Sequence, residues 1–194
     1  MTVALDFLCG LGWTVAYILA VVRGFRYKTW CIPGFSICMN FAWELSAVLE
    51  RISNGSTLGL PFAMQLSWLV FDLGILATWL LYDRSSKRQL LKNILLFLTV
   101  LITVYSVARL AGHWEFSVFL INLLMSLEFL VRLEKDPSAW ASRGIAVAKL
   151  VGTLAATLLN GLVYTNLAVL WMGGLCLLLD SYYICRLFVL KRSD

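Results

Sequence analysis

Apolar stretches of about 20 residues, the length a helix needs to cross the hydrocarbon core of a bilayer, follow one another through almost the whole chain. Water is absent from that core, so each spanning segment must satisfy its own backbone groups, and short connections leave α-helices as the solution. Hydrophobic residues make up 61% of the 194 positions and charged residues only 14%, too little polar surface for a soluble domain of this size. The expectation is an all-α membrane protein. Seven spans are placed at 3–22, 29–50, 60–82, 90–112, 114–135, 145–164 and 166–190, forming a single domain over 1–194.

Basic residues punctuate this pattern in alternate connections. Arg23, Arg26 and Lys28 follow the first span, and Arg84, Lys87, Arg88 and Lys92 surround the third connection. Arg132, Lys135 and Arg143 flank the fifth, while Arg186, Lys191 and Arg192 close the chain. Cytoplasmic loops carry such an excess, which predicts an outside or lumenal N-terminus and a cytoplasmic C-terminus. The net charge of +5 is thereby spent on membrane orientation, and no nucleic-acid partner is expected. The first span lacks a basic lead-in and reads as an uncleaved anchor. Asn54-Gly55-Ser56 fits a glycosylation sequon, but its Asn-Gly pair reads as a tight turn.

Several chemistries are excluded. The five cysteines all lie in apolar segments without a CxxC pair and read as small hydrophobes. A lone histidine, His113, provides no metal site, and neither phosphate-binding glycine loop is present. Neither a metal nor an organic cofactor is expected.

What remains is a set of acids within the spans: Glu44, Asp72, Glu128 and Asp180. A carboxyl at membrane depth is costly, faces the bundle interior, and marks a functional position. Asn40 and Glu44 are neighbours on one helical face, so the amide is placed to orient the acid. Pro33 is expected to kink that span. Trp68 and Asp72 share a face of the third span with Gln65 and Trp79. Glu128 and Arg132 are spaced for an ion pair within one helix. Lys149, Thr153, Thr157, Asn160 and Tyr164 form a polar stripe, with Lys149 expected to snorkel to the interface. Asp180 stands beside Cys176 and Tyr183. A carboxyl withdrawn from water keeps its proton because desolvation disfavours the anion, and a second acid nearby acts in the same direction. Acids of this kind surrounded by aromatic rings suit protonation of a lipophilic substrate.

Asn40-Phe41-Ala42-Trp43-Glu44, together with Leu179-Asp180-Ser181-Tyr182-Tyr183, resembles the integral-membrane terpene cyclases of fungal meroterpenoid and indole diterpenoid pathways and their bacterial relatives. The third-span segment Trp68-Leu69-Val70-Phe71-Asp72 fits the same pattern. The resemblance implies seven helices and protonation of a terminal epoxide or alkene on a prenyl chain, followed by cationic ring closure. It implies Glu44 and Asp180 as proton donor and partner. Asn40, Trp43, Trp68, Asp72, Tyr183 and Asn160 are expected to support these acids or contact a lipophilic prenylated substrate. The sequence lacks DDxxD and DxDD, the signatures of the soluble terpene cyclases. The membrane would be the endoplasmic reticulum in a eukaryote and the plasma membrane in a bacterium.

Two other readings use the same acids. A proton-coupled or small-solute carrier would place them near the midplane of repeated halves, and the Asp-bearing third and seventh spans form a faint internal echo. A scaffold subunit would turn them outward toward a partner helix. A retinal photoreceptor is disfavoured by the lack of a mid-depth lysine in the last span.

Overall fold

The computed structural model describes residues 2–83, 114–135 and 142–190. Six helices occupy them: α1 (Thr2–Tyr27), α2 (Gly34–Ser53), α3 (Leu60–Tyr82), α4 (Trp114–Lys135), α5 (Arg143–Thr157) and α6 (Leu167–Leu190). The last turns of α5 widen into a π-helix over Leu158–Val163.

The expected seven-helix bundle is therefore corrected to six helices among the described residues. The expected span at 90–112 falls outside them. Five of the six described helices are long and apolar enough to cross a membrane. The exception is α2, which carries Glu44, Glu50 and Arg51 within its 20 residues. Counting spans from apolar length alone overlooked how strongly three charges dilute such a segment.

Helix ends follow local chemistry. Pro33 sits just before α2, where its carbonyl accepts from the Ile37 amide at 2.9 Å. It starts the helix rather than kinking it, because proline at an entrance costs no intrahelical hydrogen bond. Asn54 and Gly55 form the expected turn after α2, with Gly55 at φ 68°.

The bundle is polar inside and greasy outside. Asp72 is 0% exposed and Trp171 70%, the reverse of a soluble protein and the arrangement lipid demands. This is an integral membrane protein. α1 and α5 meet where side chains are smallest: a Cβ added to Gly12 would come within 2.6 Å of the Gly152 backbone nitrogen. Without a hydrophobic force between helices in lipid, such close backbone approach supplies the packing. A buried cluster including Tyr17, Ile37, Ile75, Met125, Phe129 and Tyr183 joins the helices. At one end of the bundle, Arg132 lies over the Trp30 ring, Arg143 over Phe188, and Arg186 pairs with Glu134 at 2.8 Å. The basic ends of different helices are thus gathered together.

Candidate active site

α2 and α3 run antiparallel, and their register decides which buried polar groups meet. Asn40 and Glu44 are one turn apart on α2; Gln65 and Asp72 are two turns apart on α3. The later α2 residue meets the earlier α3 residue, so the Gln65 amide donates to the Glu44 carboxyl. Asn40 meets the other end of the pair. Its Nδ2 donates to Asp72 Oδ2 at 2.8 Å and to the Tyr17 hydroxyl oxygen at 2.6 Å. The amide expected to orient Glu44 therefore orients Asp72 and Tyr17. Helical spacing put Asn40 and Glu44 on one face but did not reveal the partners waiting on neighbouring helices.

Beside this ladder lies a cavity of about 180 Å³. Cys9, Trp13 and Tyr17 line it from α1, Asn40, Trp43 and Glu44 from α2, and Trp68 from α3. The far wall comes from Val118, Phe119, Asn122 and Met125 of α4, with Ala156 and Asn160 from α5 and its π-helical extension. Glu44 is the one carboxyl among these lining residues. The indoles are tethered: Trp43 Nε1 donates to Ser117 Oγ at 3.1 Å, and Trp68 Nε1 donates to Thr14 Oγ1 at 2.9 Å. Tyr17 stands edge-on to Trp68 with centroids 6.5 Å apart. Rings held this way present fixed faces to a positive charge.

Asp180 has a different setting. Lys149 Nζ donates to its two carboxylate oxygens at 2.8 and 2.6 Å, and to Ser126 Oγ at 2.8 Å. The residues are 3% and 4% exposed. Asp180, expected to share a proton with Glu44, is thus the partner of an ammonium and does not line the cavity. Lys149, expected to snorkel outward, turns inward because the carboxylate offers a buried counter-charge. Tyr183 also lies away from the cavity, its ring 5.3 Å from that of Phe129. Glu128 takes the Ser36 amide at 2.9 Å and the Ser36 hydroxyl at 2.5 Å, both on α2.

Of the expected site residues, the structure brings together Asn40, Trp43, Glu44, Trp68 and Asn160 around one cavity, with Asp72 directly behind Asn40. Asn160 reaches it within the π-helix, a local widening often found at functional sites. Reading the sequence missed Cys9, Trp13, Tyr17 and Asn122. The first three are spaced by four residues, a helical face that signalled them. Asn122 was signalled by a lone amide within an apolar span.

A family model described as Pyr4-like transmembrane terpene cyclases matches residues 1–193. The terpene cyclase pyr4 of Aspergillus fumigatus is 22% identical over 208 aligned positions, covering 95% of this chain and 85% of that protein. The terpene cyclase cle7 of Aspergillus versicolor is 23% identical, covering 96% of this chain and 86% of its own length. Two matches are more local: the terpene cyclase ascF of Acremonium egyptiacum, 29% identical over 43% of this chain and 25% of that protein, and the Pyr4-family terpene cyclase mfmH of Annulohypoxylon moriforme, 35% identical over 41% and 31%. The chain belongs to the Pyr4-like transmembrane terpene cyclases.

Proposed function

We propose that this enzyme protonates the terminal epoxide or alkene of a lipophilic prenylated substrate and directs its cationic cyclisation, with Glu44 as the proton donor. The observation that carries this reading is the placement of Glu44: a carboxyl on the wall of an aromatic cavity, whose hydrogen-bond partner is the neutral amide of Gln65. A neutral amide partner brings the Glu44 carboxyl no counter-charge, whereas Asp180 faces the Lys149 ammonium.

Starting from the protonated carboxyl, the O–H proton passes to the epoxide oxygen or alkene carbon. In the epoxide case a C–O bond breaks as the neighbouring alkene attacks. Each new C–C bond moves the positive charge along the chain, until a basic group or water removes a proton from the last cation. Trp13, Trp43 and Trp68 support the travelling charge through their ring faces. The largely apolar walls keep water from capturing it early. Asn40, Asp72 and Tyr17 form a buried brace behind Glu44, and Asp180 acts as a positioning residue through Lys149 and Ser126. The family match favours this reading over the carrier. The membrane is that of the endoplasmic reticulum if the source is eukaryotic and the plasma membrane if it is bacterial.

The test is expression in a host lacking such enzymes, with membranes supplied with epoxyprenyl and prenyl phenols and the products identified by mass spectrometry. Cyclic products in open membranes are expected. Substrates returned unchanged, with solute moved across sealed vesicles instead, would replace the cyclase reading with the carrier.

A further inference from the structure

Several polar groups around the cavity are committed to protein partners. Asn40 serves Asp72 and Tyr17, Trp43 and Trp68 donate to hydroxyls, and Asn160 Nδ2 donates to the Ala156 carbonyl oxygen at 3.0 Å. Asn122 stands apart. It lines the cavity from α4 and is 7% exposed. Its Nδ2 donates to Thr153 Oγ1 at 3.0 Å, while its Oδ1 is buried with no hydrogen-bond partner among the described residues.

A buried acceptor left unmatched costs stability, so it needs an explanation. This one is firmly held. The Asn122 backbone carbonyl accepts from Ser126 Oγ at 2.9 Å, and Ser126 in turn accepts from Lys149, which Asp180 anchors. The side-chain amide is held in place through Thr153 on the wall of a largely apolar chamber, with one buried acceptor oxygen unmatched.

We propose that Asn122 is the anchor for the substrate's polar head: its Oδ1 accepts a hydrogen bond from a hydroxyl on the non-prenyl part. The head is then read from α4 while the reacting end of the prenyl tail is presented to Glu44 on α2. This rests on the cyclase reading and adds to it the class of group the head must carry, a hydrogen-bond donor. A site built around such a donor rejects an analogue lacking it, because the buried acceptor is again unpaired.

The experiment uses the full chain in detergent and two probes with identical prenyl tails, a prenylated phenol and its O-methyl ether. Binding is read by tryptophan fluorescence and turnover by product analysis of the epoxidised forms. The wild type is expected to bind the phenol about tenfold more tightly than the ether. Asn122→Leu is expected to bring the phenol down to the ether's affinity, raising KM for the phenol with little change in kcat and leaving the ether unaffected. Asn122→Ala repeats the comparison should the leucine variant fail to fold. Equal wild-type affinity for the two probes, or an equal loss for both in a folded variant, overturns the anchor. Discrimination without any cyclic product sustains the anchor and refutes the cyclase reading. Cyclisation of both epoxides without discrimination refutes the anchor alone.

Discussion

Replacing Lys149 with methionine leaves the Asp180 carboxylate buried without its cation, and the structure sets the size of the effect. All three hydrogens of the ammonium are used, two on Asp180 and one on Ser126, at 2.6–2.8 Å. Breaking so enclosed a pair from one side costs about 3–5 kcal/mol, whereas replacing both members with apolar residues is close to neutral. At about 2–4 °C per kcal/mol for a chain of this length, Lys149→Met should lower Tm by roughly 6–20 °C. Lys149→Met combined with Asp180→Leu should recover most of that loss. Thermal unfolding in detergent, followed by tryptophan fluorescence, provides the measurement. A single variant within about 1 kcal/mol of wild type, or a double variant as unstable as the single, would refute the pairing. Turnover adds a second test, because Asp180 is assigned to positioning: the recovered double variant should cyclise within about tenfold of the wild-type rate. A stable double variant with no turnover would instead give the Asp180 carboxylate a chemical role.

Gln65→Leu removes the amide that orients Glu44 and should lower kcat by about tenfold or more while the protein stays folded, as read by product formation against Tm. Trp43→Leu removes a ring face and should divert products toward prematurely quenched or partly cyclised species, with a loss of about 0.5–2 kcal/mol of cation stabilisation; an unchanged product profile would count against that role. Gly12→Leu drives a side chain into the Gly152 backbone and should abolish folded protein in size-exclusion chromatography, since neither backbone can yield. Between α1 and α2, burial pushes the Cys31 thiol up to about 11, so at pH 8 it stays protonated and should resist maleimide while the exposed Cys185 is labelled.

Much of this architecture was legible because lipid imposes simple rules. Apolar length predicted five of the helices, and Asn54-Gly55 marked the turn after α2. Glu44, Trp43 and Trp68 were legible as a lone acid and aromatics at helical spacing, and the cavity includes all three. Partner choice was not legible. Whether Asn40 serves Glu44 or Asp72 depends on the antiparallel register of α2 and α3, which a one-dimensional pattern does not encode. Asp180 and Lys149 lie 31 positions apart, and nothing local distinguishes a lysine that snorkels from one that turns inward to a counter-charge. The π-helix that carries Asn160, where Gly161 packs on Leu170 of α6, likewise had no local signal in the sequence.

The most direct measurement is the cyclisation rate of Glu44→Gln beside its affinity for the unreacted substrate. Glutamine keeps the size of the side chain and a hydrogen bond to Gln65 but has no acidic proton. Loss of a general acid lowers rates by about 10²–10⁴, and a fall of that order with affinity retained is the predicted result. A folded Glu44→Gln enzyme that cyclises its substrate at the wild-type rate would contradict the account.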